Sequence, residues 1–172
     1  MKTKTILILF LAISFSFTSC KKNETFLTPS GNVITKSKII TGFDRLDIYD
    51  VFNVYVTFSD TEESIVVEAD DNFQSHIIVT KSGNRLIVML EDDINILEGV
   101  GTLNIYITLP ELLQVKGSGV VNYYFQNHFD GNDFDIELNG ACTLSRSMIL
   151  NHLNSNLIGS SNLKLTGQAQ KF

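Results

Sequence analysis

At 172 residues, with 44% hydrophobic residues, 12 phenylalanines and only two prolines, the chain is too apolar for a disordered protein and long enough for one domain with a real core. Its net charge of −6, which becomes −8 if Lys2 and Lys4 leave with an export leader, provides no basic footprint for DNA or RNA and opposes adsorption to anionic lipid head groups. The acids are unevenly placed: none follows Glu137, and the remaining 35 residues carry only Arg146, Lys164 and Lys171 besides one histidine.

Residues 1–19 read as a signal peptide. Lys2 and Lys4 form a positive start, Ile6 to Phe17 is an uncharged apolar run, and Thr18-Ser19-Cys20 supplies small residues for cleavage. Such a run is too short for a comfortable permanent span. Cys20, directly after Ser19, resembles the cysteine of a bacterial lipobox, which is acylated and becomes the mature N-terminus; Phe17 departs from the aliphatic residue usual in that motif. An acylated Cys20 anchors the protein to a membrane through its buried methylenes. The alternative is an ordinary cleaved signal with an incidental cysteine. Cys142 then has no partner and reads as a small buried hydrophobe, with a Cys20–Cys142 disulfide as the competing reading. No histidine lies near Cys142 to make it a nucleophile.

Residues 20–38 are predicted to be the lipidated cysteine and a polar tether, with a turn at Pro29-Ser30-Gly31-Asn32, and Val33 to Ile40 can already form an edge strand. A single all-β domain is predicted over 39–172. Leu46 and Ile48, then Phe52, Val54, Val56 and Phe58, keep their apolar side chains on even positions, with a bulge or bend at Asp50. Ser64 to Ala69 is the next strand, closed by Asp70-Asp71-Asn72, and a short helical turn fits Asp71 to His76. Ile77 to Thr80 and Leu86 to Leu90 form a hairpin about Ser82-Gly83-Asn84, and Leu103 to Leu109 alternates until Pro110 ends it. In the last third, strand-like runs break at small residues, with glycines at 117, 140 and 159, spaced 23 and 19 residues apart. A glycine corner recurring about every 20 residues predicts stacked β-solenoid coils, each burying its apolar face on the next.

Chemistry is sparse along this chain. Glu68, Asp70 and Asp71, and Glu91, Asp92 and Asp93 with Asn95, offer oxygen atoms to calcium but lack the alternating aspartate loop. The coils from 138 onward contain no carboxylate for a lyase or glycosidase. His76, His128 and His152 have no ligand spacing, and Gly117-Ser118-Gly119 is neither a nucleophile elbow nor a phosphate loop. No catalytic residue, metal or cofactor is therefore assigned. The candidate ligand-binding residues are Tyr123 and Tyr124, which can stack on a sugar ring, and Asn154 and Asn156, which with Asn151, Asn162, Ser155, Ser160 and Ser161 can line a polar face. The competing readings are alternating burial of Tyr123-Tyr124-Phe125, with one of the three exposed, and asparagine ladders that satisfy the coils' own corners.

Several stretches together resemble a known family of exported Bacteroidetes proteins, the auto-transporter adhesin, head GIN domain. They are Phe43 with Leu46 and Ile48, Phe52-Asn53-Val54-Tyr55-Val56, Val66-Val67-Glu68-Ala69-Asp70-Asp71-Asn72, Asn84-Arg85-Leu86-Ile87-Val88, Ile105-Tyr106-Ile107-Thr108-Leu109-Pro110-Glu111-Leu112, and the glycine corners. The resemblance covers about residues 40 to 172. It implies a right-handed β-solenoid-like or β-sandwich-like body behind a lipoprotein signal, and it brings no catalytic residues. Family members usually continue through further coils past the point matching Lys164-Leu165-Thr166-Gly167, so the last coil here is expected to present an open edge. The expected function is that of a non-catalytic outer-membrane lipoprotein, on the surface or periplasmic face, acting as an adhesin or glycan- or protein-binding module. The alternative is a periplasm-facing scaffold that self-associates through its C-terminal edge, with a polysaccharide-active enzyme a distant third.

Overall fold

The computed structural model describes residues 25–96 and 101–171, and every regular element among them is a β-strand. The predicted signal peptide and Cys20 lie outside the described residues. The strands are β1 (Thr25–Leu27), β2 (Val33–Lys38), β3 (Arg45–Phe58), β4 (Ser64–Asp70), β5 (Ile77–Ser82), β6 (Arg85–Leu90), β7 (Ile94–Ile96), β8 (Leu103–Leu109), β9 (Gln114–Phe125), β10 (Phe129–Gly140), β11 (Thr143–Gly159) and β12 (Asn162–Lys171). Ten of them form one sheet in the order β12-β11-β10-β9-β3-β8-β4-β2, with β6 beside β3 and β5 beside β6, while β1 and β7 pair separately.

β3 organises this sheet. Leu46, Ile48, Phe52, Val54 and Val56 are all buried, so the even-numbered pattern faces one core on both sides of Asp50. β9 pairs with β3 in parallel along its whole length, from Arg45 opposite Gln114 to Val56 opposite Phe125. On its other edge β3 is shared: β6 takes Arg45 to Ile48, and β8 takes Asn53 to Phe58. β10, β11 and β12 then add in parallel beyond β9.

The register aligns Asp50, Gly119, Gly140 and Gly159 in one column. Each bends its strand, with φ of +67°, +111°, +108° and +81° respectively. The first glycine of the column is thus Gly119, whereas the sequence pattern pointed to Gly117. Gly117 has no left-handed backbone; a Cβ there would lie 3.2–3.3 Å from Cys142 Sγ, Leu138 Cδ2 and Tyr123 Cε2, so a crowded interior keeps it small. Asp50 carries a side chain in the same column at a level where, among the described residues, no strand pairs with the other edge of β3: β6 pairing ends at Ile48 and β8 pairing begins at Asn53. Its carboxylate reaches into that gap and accepts the Leu90 N–H at 2.8 Å. Cys142 is fully buried with a free thiol, as a small core residue should be.

Residues 71–76 form successive turns, the first of them the expected helical turn, with both Phe73 N–H and Gln74 N–H donating to the Asp70 carbonyl. The polar stretch predicted as a tether carries β1 from Thr25 on, and β2 lies at the sheet edge where a strand was expected from Val33. Asp70, only 2% exposed, accepts the N–H of Gly31 at 2.7 Å and of Thr102 at 2.8 Å. Asp71 accepts Ser30 Oγ at 2.6 Å and Asn32 Nδ2 at 2.8 Å. The Gln74 amide donates to the carbonyls of Ile34 and Val67, tying β2 to β4. Polar composition alone did not show these partners.

The hydrogen bonds from Ser30 and then Asn32 hold the Asp71 carboxyl below its ordinary value of 3.8. A depressed carboxyl favours the folded arm at any pH above the unfolded value and loses that contribution as pH falls through the folded one. The Asp71 side-chain carbon followed by NMR should titrate with a midpoint below 3.8. A midpoint at or above that value contradicts the arm geometry.

Candidate functional site

The outward residues of β3, β8 and β9 alternate with buried Val54, Ile105 and Tyr123, and the parallel register sets like beside like. Tyr106, Tyr55 and Tyr124 are direct neighbours across three strands. Strands lie about 4.8 Å apart, so tyrosines in register must stack. The ring centroids are 4.8 Å apart for Tyr55 and Tyr106 and 5.0 Å for Tyr55 and Tyr124, with interplanar angles of 15° and 18°. Tyr106 is 38% exposed and Tyr124 43%. Rings held this way lose little side-chain freedom on meeting a ligand.

Beside the rings runs a row of amides. Thr143 Oγ1 donates to Asn122 Oδ1 at 2.6 Å, Asn122 Nδ2 to Asn53 Oδ1 at 3.1 Å, Asn53 Nδ2 to Asn104 Oδ1 at 3.1 Å, and Asn104 Nδ2 to Glu68 Oε2 at 2.8 Å. Every donor points the same way, and the chain ends on a carboxylate, so successive bonds polarise one another. Tyr106 Oη also donates to Glu68 Oε2, at 2.9 Å. Burial, then this bond to Glu68, raises the Tyr106 phenol above its ordinary range. The face therefore offers aromatic edges and hydroxyls beside preset amide donors and acceptors. Each amide is still able to bond outward.

The sequence-predicted residues fall in three places. Tyr124 lies in the row. Tyr123 does not: it is 2% exposed, sits on the inward parity of Val121 and Phe125, and donates its hydroxyl to the Lys116 carbonyl at 2.7 Å. Burial raises its phenol well above the ordinary range. Tyr123→Phe should lower stability by about 1–2 kcal/mol in urea unfolding, because the Lys116 carbonyl loses its buried donor. Asn154 and Asn156 are exposed on β11, where they pair with Asp135 and Glu137. Through Asp135, Asn154 aligns with Gln114 at the start of β9, whereas Tyr124 lies near its end, beyond the bend. Asn156 lines a pocket of about 150 Å³ with Lys116, Glu137 and Ile158. The two asparagines are thus not part of the tyrosine face.

Of the acidic groups considered for calcium, Glu68, Asp70 and Asp71 are engaged as described, and Glu91 bonds His76 Nδ1 at 2.8 Å. His152 bonds Asp133 at 2.7 Å. Tyr55, Tyr106, Asn53, Asn104 and Asn122 were not singled out from the sequence. A signal was present: Asn-x-Tyr recurs at 53–55, 104–106 and 122–124.

The family model described as "Putative auto-transporter adhesin, head GIN domain" matches residues 42–172. The chain belongs to this family. Among solved structures, this head GIN domain is similar to a putative adhesin from Parabacteroides merdae, at 18% identity and a TM-score of 0.73, covering 84% of this chain and 60% of that one. A putative adhesin from Parabacteroides distasonis is similar at 16% identity and a TM-score of 0.74, with 84% and 61% covered. One from Bacteroides fragilis shows 26% identity and a TM-score of 0.70, with 84% and 66% covered. The head GIN chain thus spans only 60–66% of the length of these proteins. No curated protein matches it.

Proposed function

We propose that this head GIN domain belongs to a non-catalytic lipoprotein, anchored through Cys20 in the outer membrane, and that it works as an adhesin. Its tyrosine–asparagine face engages a glycan or a surface protein. The observation that carries this reading is the stacked row Tyr106–Tyr55–Tyr124, exposed at Tyr106 and Tyr124, with the one-way amide row beside it. A surface adhesin needs a rigid aromatic and amide array rather than a reaction centre. The body is a β-solenoid in this reading. Parallel strands in an open sheet need crossovers of about a dozen residues or more. Here β9, β10, β11 and β12 follow one another with only residues 126–128, 141–142 and 160–161 between them, so the bent strands themselves carry the chain round.

Protease treatment of intact cells expressing the full chain, with Cys20→Ala as control, tests the proposal. Cleavage of the wild-type domain on whole cells, with soluble release of the variant, is expected. Protection until the outer membrane is broken contradicts adhesion. A second reading, self-association through the edge of β12, is favoured by the place of that strand at the end of the sheet and by Leu157 and Ile158, 43% and 53% exposed on β11. Light scattering that finds only monomer removes it.

A further inference from the structure

The tyrosine row stops at β9, and what replaces it is specific. Thr143 and Leu144 of β11 pair with Asn122 and Tyr123, which puts Ser145 beside Tyr124. Ser145 pairs in turn with Lys164 of β12. The column therefore reads Tyr106, Tyr55, Tyr124, Ser145, Lys164. Tyr55 has a tyrosine on each face, whereas the face of Tyr124 toward Ser145 is covered by a side chain too small to fill it. With strands about 4.8 Å apart, the backbones of Tyr124 and Lys164 are about 10 Å apart, with Ser145 as the floor between them.

The result is a slot with an aromatic face at one end and an ammonium at the other. Thr143 and Asn162 flank it on one side and Ser147 and Thr166 on the other, each pair in register and exposed. These four are neutral hydrogen-bonding groups. Arg146, the neighbouring cation on β11, is engaged with the carbonyls of Phe125 and Asn127. No acidic residue occurs anywhere after Glu137, so Lys164 lacks a neighbouring carboxylate on β11 and β12.

A pyranose ring has an apolar C–H face that suits a tyrosine face, and equatorial hydroxyls that suit threonine, serine and asparagine. A neutral sugar would leave the ammonium unused. A polyphosphate or heavily sulfated chain would meet one cation on a protein of net charge −6. The geometry points to a hexuronic acid unit of an acidic polysaccharide: its ring stacks on Tyr124 over Ser145, and its carboxylate meets Lys164. This rests on the reading of the tyrosine face as glycan-binding, and it names the sugar class.

The test is calorimetric titration of the intact chain with galacturonate, mannuronate and glucuronate oligosaccharides, against neutral oligosaccharides of equal length. At least one uronate series should bind about tenfold more tightly than its neutral counterpart at low salt, with the preference shrinking as ionic strength rises. Lys164→Gln should erase that preference, bringing the uronate series down to the affinity of its neutral counterpart. Ser145→Tyr, which continues the tyrosine row into the slot, should abolish both while the domain stays folded by circular dichroism. Equal affinity for charged and neutral series, or a preference that survives Lys164→Gln, overturns the inference. Neutral binding that depends on Tyr124 without a uronate preference removes this inference and leaves the glycan-binding reading in place. Binding by neither series removes both, and adhesion that still needs Tyr55 and Tyr124 then points to a protein ligand.

Discussion

Gly140→Ala is expected to cost about 3 kcal/mol or more, enough to leave the C-terminal strands unfolded at room temperature. Two effects add. The backbone has φ of +108°, which L side chains rarely adopt, and a Cβ would lie 2.4 Å from the carbonyl oxygen of Gly119. That oxygen cannot move aside, because it accepts the Ala141 N–H at 2.8 Å. The same contact recurs one strand on, where a Cβ at Gly159 would lie 2.8 Å from the Gly140 carbonyl. Gly83→Ala separates strain from clash: its φ is +61° with nothing within 4 Å, so it should cost only about 1–2 kcal/mol. Urea unfolding of both variants checks the difference. Equal costs would contradict the stacked column.

Asp70→Ala is expected to cost about 3 kcal/mol and to free the N-terminal arm. The side chain is buried and holds two backbone N–H groups, one on the arm at Gly31 and one ahead of β8 at Thr102. Bonds to a charged acceptor contribute about 1.5–3 kcal/mol each, and removing it leaves both donors without their partner. Asp71→Ala, whose acceptor oxygens are on the surface, should release the arm with a much smaller change in global stability. Limited proteolysis followed by mass spectrometry reads the arm, with cuts expected between Thr25 and Lys38 in both variants. An arm that stays protected in Asp70→Ala would contradict its role as the clasp.

The strands were legible because alternation is a local signal: Leu46 to Val56 and Leu103 to Leu109 need no partner to be read. The bend at Asp50 was legible for the same reason. Which glycine takes the corner was not, because Gly117-Ser118-Gly119 offers two and only the register with Asp50 and Gly140 selects the second. Family membership was legible from the order of several weak motifs, and the match over residues 42–172 bears it out. The site was half legible. A run of Tyr123-Tyr124-Phe125 fixes that one parity is buried without saying which, so Tyr124 was found together with its buried neighbour. Tyr55 and Tyr106 come from distant segments, and only parallel register brings them together. The asparagines chosen, 154 and 156, stand before a bend, whereas Asn53 and Asn122, beside the tyrosine row, stand after one.

The most direct test of the tyrosine face is adhesion by cells displaying the full chain, wild type against Tyr55→Ala/Tyr124→Ala, at matched surface amounts and confirmed folding. Removing two stacked anchors at the centre of a recognition surface should lower adhesion at least tenfold. Tyr124→Phe, which keeps the ring, should retain most of it. Adhesion unchanged in the double variant would contradict the account and send the search to another surface of the domain.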